Sequence, residues 1–189
     1  MKEAEEIWIG IDPSLRGTGL VAIGKDDEIV FMTRIAPHPK EYKDEELLDE
    51  CYGAAAAWFN FAIGQHNIKN IAMERIAYGG SSGTKDKIAA GWWRIRQALK
   101  DQLKMKYQTF DWPPNIVACN TWRKHIITKA DRDLNKEEPD KLFLKKCPYS
   151  KLPETVRAAI DKYCEDLPKH SEYDLGDAYW LAYYSKYFC

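Results

Sequence analysis

The alternation of apolar and polar residues predicts a strand-rich beginning for this chain. Residues 7–12 form a short apolar run that ends in Asp-Pro, which is typical of a buried strand followed by a turn. Residues 20–23 form a second apolar run between glycines, and residues 28–35 form a third. The pair Asp26-Asp27 between the last two runs indicates a hairpin turn. These features together predict an antiparallel meander at the start of a sheet.

Helical spacing then dominates two long segments. Apolar residues recur at every third or fourth position over residues 44–64 and again over 84–106, which predicts two helices. Trp92 lies on the apolar stripe of the second helix and Trp93 lies beside it. We therefore expect both in the core or in a dimer interface rather than stacked on bases.

Two further strands and an irregular helical region complete the predicted fold. Residues 68–76 and 115–119 are typical of strands. From residue 122 onward the pattern is helical, with breaks expected at Pro139, Pro148 and Pro153, and an aromatic-rich helix closes the chain over 175–188. This order predicts an α/β fold with a mixed five-stranded sheet flanked by helices, in a single domain spanning residues 1–189.

Composition is that of an ordinary folded, water-soluble domain. Hydrophobic residues make up 45% of the 189 residues and charged residues 30%, which excludes a mainly disordered chain, a collagen-like chain and a membrane bundle. The five cysteines are odd in number and form no CxxC pair, so we expect neither a disulfide framework nor a structural zinc site. A reducing cytosol fits this cysteine content. We also expect no secretory signal and no membrane span.

Four carboxylates stand where a metal-dependent reaction would need them. Asp12 ends the first apolar strand, and Glu74 lies near the end of the fourth. Asp174 and Asp177 share one face at the start of the last helix. All-oxygen ligation fits Mg²⁺ or Mn²⁺ rather than zinc. Two such ions about 4 Å apart can activate a water molecule and stabilise the leaving oxygen of a phosphodiester.

Each of these carboxylates also has a simpler explanation. Asp174 and Asp177 can be N-terminal helix residues favoured by the helix dipole. Asp12 can be a turn residue before proline, and Glu74 can form a surface ion pair with Arg75. The spacing of the four carboxylates fits either a metal site or these separate structural roles. Their joint occurrence, each with particular flanking residues, favours the metal site.

Three stretches that contain these carboxylates resemble motifs of one nuclease family. Residues 9–19 have the sequence IGIDPSLRGTG, residues 71–76 have IAMERI, and residues 173–178 have YDLGDA. In order and separation they resemble the opening motif, the second acidic strand and the C-terminal Asp-x-x-Asp-Ala helix of RuvC-type Holliday junction resolvases. The resemblance extends over about residues 7–185. The first and last motifs are specific together, and the middle motif is weak alone.

The resemblance implies a fold, a reaction and a set of ligands. Members of this family have the ribonuclease H-like fold and act as homodimers that cut two opposed strands of a four-way DNA junction. By this resemblance Asp12, Glu74, Asp174 and Asp177 would be the metal ligands and catalytic acids, with two Mg²⁺ or Mn²⁺ ions per active site. The expected products are paired symmetric nicks with 5′-phosphate and 3′-hydroxyl ends, made in DNA recombination and repair or in phage DNA processing.

Some positions depart from the family pattern. Ser14 stands where glycine is common after Asp-Pro, and Ala77 stands where bacterial members carry an aromatic residue that helps open the junction. Tyr78, one residue later, is able to take that stacking role. Residues 122–124 (WRK) are more similar to phage-type relatives than to bacterial ones. We therefore expect a cytoplasmic protein of a bacterial cell or of a phage-infected host.

A balanced total charge conceals a basic middle section. The 28 Lys and Arg against 29 Asp and Glu give a formal net charge of −1, which argues against a protein that coats nucleic acid through bulk electrostatics. Residues 85–146 contain fifteen basic and eight acidic residues, a local net charge of +7, while the remainder carries −8. Such basic residues contact phosphates without reading sequence. The candidate DNA contacts, including those suggested by the family motifs, are Arg16, Tyr78, Lys85, Lys87, Arg123 and Lys124.

Three other interpretations of the sequence stay open. The first is a nuclease of the same fold that acts on a broader range of branched DNA. The second is an actin-like or sugar-kinase phosphotransferase, whose fold also begins with a Gly-Ile-Asp strand and a Gly-Thr-Gly turn, although this chain is short for that two-domain architecture. The third is a catalytically silent DNA-binding module, which the presence of all four carboxylates does not support.

Overall fold

Five strands form one mixed sheet. The computed structural model describes residues 4–14, 17–36, 44–75, 82–107 and 114–189, with the backbone only at 44, 82–88 and 107. The strands are β1 (Glu6–Asp12), β2 (Thr18–Ile23), β3 (Ile29–Ile35), β4 (Asn67–Glu74) and β5 (Asn115–Val117). Their order is β3-β2-β1-β4-β5; the β1–β2 and β2–β3 pairs are antiparallel, and the β1–β4 and β4–β5 pairs are parallel. The predicted meander and mixed sheet are therefore confirmed.

Helices cover both faces of this sheet. Those in the described part of the chain are α1 (Asp44–Gln65), α2 (Ser82–Tyr107), α3 (Cys119–Ile126), α4 (Lys129–Glu137), α5 (Phe143–Ser150), α6 (Glu154–Tyr163) and α7 (Ser171–Tyr187). None of these helices combines the length and the apolar character that a membrane span requires.

Several details of the elements differ from the sequence prediction, and three of them bear on the region around α7. β5 ends at Val117 rather than at residue 119, because Cys119 already begins α3. Pro148 does not break the chain as predicted but lies inside α5, where its carbonyl accepts a hydrogen bond from Trp180 Nε1 (2.8 Å). α7 begins at Ser171 rather than at residue 175, so Asp174 and Asp177 lie in its first two turns.

Each central strand contributes to two cores, because successive side chains of a strand face opposite sides of the sheet. Ile9, Ile11 and Met73 pack in the core beneath α1 and α2. Val21 and Ala72 face the other way and pack in the core beneath α3, α6 and α7. Full burial of a large aliphatic side chain contributes about 1.5–3 kcal/mol to stability, so the strands are held from both faces.

Glycines let α7 lie directly on the sheet. A Cβ atom at Gly10 of β1 would be 1.9 Å from the carbonyl oxygen of Ala178, and one at Gly19 of β2 would be 2.1 Å from that of Asp174. Only a residue without a side chain fits between strand and helix at these two positions. This close approach places the first turns of α7 over the end of β1.

Candidate active site

Asp12 and Glu74 lie side by side at one edge of the sheet. They are the last residues of β1 and β4, which run parallel and pair Ile11 with Met73. Because Ile11 and Met73 face α1 and α2, the next residue of each strand faces the opposite side, toward α7. Asp12 is buried there, with 9% of its surface exposed.

α7 brings Asp174 and Asp177 over these two strand ends. Burial and the nearby negative charges of Glu74 and Asp177 raise the pKa of Asp12 well above its usual value, and Asp174 adds to this effect. Burial likewise raises the pKa of Asp177 to about 7; Arg123 opposes this shift, and Glu74 adds to it. The four predicted site carboxylates therefore form one electrostatically coupled group, the acidic cluster.

Arg123 is part of this cluster rather than of the open surface. Its Nη2 donates a hydrogen bond to Asp177 Oδ2 at 2.6 Å, and Nη1 donates to Cys119 Sγ. The guanidinium also lies 4.7 Å from the ring centre of Trp122, and its buried Nε has no hydrogen-bond partner in the described part of the chain. Burial lowers the pKa of Arg123, but Asp177 and Glu74 outweigh this effect and raise it.

Asp174 is bound by two basic side chains at once. Arg34 Nε donates to its Oδ2 at 2.8 Å, and Lys145 Nζ donates to its Oδ1 at 3.3 Å. Arg34 stands opposite Gly19 in the β2–β3 pair, and Gly17 lies where a Cβ atom would meet both Arg34 and Asp174. Gly17 thus leaves the space through which Arg34 reaches Asp174.

Two tryptophans hold Glu74. Trp122 Nε1 donates to Glu74 Oε2 at 2.8 Å, and Trp92 Nε1 donates to the Glu74 backbone carbonyl at 2.9 Å. Trp92 is buried in the core as expected, whereas Trp93 is 56% exposed. Glu74 is therefore fixed at its backbone and at one carboxylate oxygen.

The donor atoms of the cluster fit a hard divalent cation, although the side chains are turned toward basic partners. Carboxylate oxygens are the ligands that Mg²⁺ and Mn²⁺ prefer. Among the described residues, no three His, Cys, Asp or Glu side chains are arranged to hold a metal ion. The reason is visible in the contacts, since Asp177 binds Arg123 and Asp174 binds Arg34 and Lys145. Ion binding therefore requires that at least one of these pairs opens.

Among the remaining predicted DNA contacts, only the side chain of Lys124 lies in the described part of the chain. Lys124 is exposed on α3, next to the buried Arg123. Arg16 and Tyr78 lie outside the described residues, and the side chains of Lys85 and Lys87 on α2 do too. Their contact with DNA stays a prediction.

Sequence reasoning missed three groups of the cluster: Arg34, Lys145 and Cys119. In the sequence, Lys145 is one of the fifteen basic residues of the section 85–146, and Arg34 is a polar residue within the predicted third strand. Neither position has a signal that links it to the acids. Burial, followed by the nearby charge of Glu74, raises the pKa of the Cys119 thiol to about 11, which keeps it protonated beside the acids at neutral pH.

Comparison with known proteins identifies the fold. No family model matches the sequence, and no curated protein matches it. The structure is similar to that of Thermus thermophilus RuvC in complex with a Holliday junction substrate, with a TM-score of 0.56, 15% identity and coverage of 94% of this chain and 90% of that chain. A second structure of Thermus thermophilus RuvC gives a TM-score of 0.55 with 12% identity, over 93% of this chain and 90% of that one. The chain therefore has the ribonuclease H-like fold of the RuvC Holliday junction resolvases.

Proposed function

We propose that this protein is a divalent-metal-dependent endonuclease that resolves four-way DNA junctions by paired symmetric nicks. The observation that carries the proposal is the meeting of Asp12, Glu74, Asp174 and Asp177 at one end of the sheet. The structural neighbour solved with a Holliday junction substrate supports branched DNA as the substrate class.

The chain's own residues hold and orient the reacting groups. Asp12, Glu74, Asp174 and Asp177 would hold two Mg²⁺ or Mn²⁺ ions, which when bound supply a nucleophilic water and charge stabilisation for the leaving oxygen. Trp122 fixes one oxygen of Glu74, which lies close enough to Asp12 for its charge to raise the pKa of that carboxyl. Arg123 keeps a positive charge beside Asp177, where a DNA phosphate needs neutralisation.

Two copies of the chain are needed for paired nicks, because each copy provides one acidic cluster. We propose a homodimer in which α2 contributes to the interface, since the large apolar side chain of Trp93 on this helix is 56% exposed. Lys124 is exposed beside the cluster and would contact DNA phosphates. Arg16, Tyr78, Lys85 and Lys87 are proposed as further DNA contacts.

A cleavage assay tests the proposal. We expect a synthetic four-way junction with Mg²⁺ to give symmetric nicks with 5′-phosphate ends, and EDTA to stop the reaction. Asp12→Asn and Glu74→Gln should abolish cutting while junction binding is retained. Flaps, three-way junctions and replication forks in the same panel show whether the activity is broader. Wild-type cutting by Glu74→Gln would contradict the assignment of the site.

A catalytically silent DNA-binding module is the second candidate, and the ion pairs of the cluster favour it. Basic side chains already neutralise Asp174 and Asp177, as in a site that has no need of metal. Under this alternative the wild-type chain binds the junction tightly but leaves it intact after long incubation with Mg²⁺ or Mn²⁺. Turnover of ATP with a sugar would instead indicate a phosphotransferase.

A further inference from the structure

The two oxygens of Asp174 are bound by cations of very different exposure. Arg34 and Asp174 are both buried, with 9% and 12% of their side chains exposed, and their nitrogen and oxygen lie 2.8 Å apart. Lys145 lies 3.3 Å from the other oxygen, and 44% of its side chain is exposed. One contact is therefore enclosed by protein, while the other faces solvent.

The enclosed contact belongs to the fold. Arg34 reaches Asp174 through the space left by Gly17, where a Cβ atom would meet both side chains, and only 9% of the Arg34 side chain is exposed. Breaking a buried ion pair by removing one partner leaves an uncompensated buried charge, which is strongly unfavourable. Arg34 is thus suited to hold Asp174 in one orientation whether or not another cation is present.

The exposed contact is suited to exchange. Burial lowers the pKa of Lys145, but the charges of Asp12, Asp174 and Asp177 outweigh this effect and raise it, so the ammonium lies near all three carboxylates. Lysine is a compact charge on a flexible four-carbon stem, and a solvent-facing ion pair is weak. The neighbouring Lys146 binds Asp140 and takes no part in the cluster.

We propose that Lys145 is a resident cation of the acidic cluster that a divalent metal ion displaces, while Arg34 is a positioning residue that keeps Asp174 aimed at that ion. This inference rests on the proposed metal dependence of the site. It assigns opposite effects to two positive charges on the same carboxylate: Lys145 competes with the metal ion, and Arg34 prepares its ligand.

Titration with Mn²⁺ alone, without DNA, tests the proposal. Lys145→Gln removes a competitor of the metal ion, so we expect this variant to bind Mn²⁺ roughly tenfold more tightly than wild type. The affinity is measured by calorimetry or by electron paramagnetic resonance of free Mn²⁺. Lys146→Gln is the matched control and should bind Mn²⁺ like the wild type. Arg34→Met should bind Mn²⁺ more weakly than wild type, although it too removes a positive charge.

The sign of the two effects decides the outcome. Unchanged or weaker Mn²⁺ binding by Lys145→Gln would overturn the role of Lys145. If Arg34→Met does not fold, Arg34→Lys keeps the charge without the guanidinium geometry, and wild-type affinity in that variant would overturn the role of Arg34. If the wild-type chain does not cut the junction while both variants show the expected Mn²⁺ affinities, only the proposed function is contradicted. If the wild-type chain cuts the junction and both variants bind Mn²⁺ like wild type, only this inference is contradicted.

Discussion

The buried carboxylate of Asp12 lowers the stability of the folded, metal-free protein. It is buried at the end of β1, and the burial and the charges of Glu74 and Asp177 disfavour its ionised form. A group whose pKa is higher in the folded than in the unfolded protein binds protons on folding, so stability falls as the pH rises through that range. The carboxylate is therefore costly to a metal-free protein at neutral pH and useful only when a cation is present.

Replacing Asp12 by Asn should stabilise the metal-free protein and inactivate it at the same time. We expect the variant to be more stable than wild type at pH 8 in EDTA and to gain less at pH 5, because the wild-type carboxyl is protonated more fully at the lower pH. Urea unfolding at the two pH values measures this. A variant less stable than wild type at pH 8 would show that Asp12 is not the strained charge of the cluster.

Among the elements, the contact between α7 and β1 decides whether the site forms. Gly10 lies directly beneath the backbone of Ala178 and Ala182. A methyl group there has to push the helix off the sheet, and backbone atoms cannot move aside as a flexible side chain can. The acids of α7 would then lose their position over Asp12 and Glu74.

Gly10→Ala should therefore destabilise the protein by about 3 kcal/mol and weaken Mn²⁺ binding. Gly53→Ala is the matched control, because a Cβ atom at this position of α1 meets nothing within 4 Å. Alanine is the better helix former, so this control should gain up to about 1 kcal/mol. Thermal unfolding of both variants measures the difference. Equal stability of the two would mean that α7 has room to shift.

The strands, the long helices and the convergence of the four carboxylates were predictable from the sequence, but the positions of Arg34 and Lys145 beside them were not. In the β2–β3 pair, Ile23 is opposite Ile29 while Ala22 is opposite Phe31, so Val30 is an extra residue in β3. This shift reverses which face each later residue of β3 occupies and turns Arg34 toward α7. Simple alternation from the hairpin would have placed Arg34 on the α1 side, and no residue pattern indicates the shift.

Which of the two adjacent lysines, Lys145 or Lys146, reaches the acidic cluster was unpredictable for a different reason. The sequence offers Lys145 and Lys146 in one run, and only the rotation of α5 decides which one reaches the cluster. That rotation is set by packing of Cys147 and Pro148 and by the hydrogen bond from Trp180, contacts far apart in the chain. Long-range packing of this kind leaves no local signal.

For the whole molecule, the division of charge along the chain bears on the proposed binding of DNA. A total charge of −1 provides no general attraction to phosphate, while residues 85–146 carry +7. Binding should therefore depend on a limited set of phosphate contacts. The logarithm of the association constant then falls linearly with the logarithm of salt concentration, with a slope of about −0.9 for each neutralised phosphate.

Lys124→Gln should weaken junction binding and reduce the steepness of this salt dependence by about one. Binding is measured in EDTA over a range of salt concentrations, so that cutting does not interfere. Lys162→Gln on α6 is the matched control, because Lys162 is exposed in the same way but lies outside the basic section. The control should leave both affinity and slope unchanged, since Lys162 is not among the predicted DNA contacts. An equal loss of slope in both variants would show that the net charge of the chain governs binding, and the basic section would then have no special role.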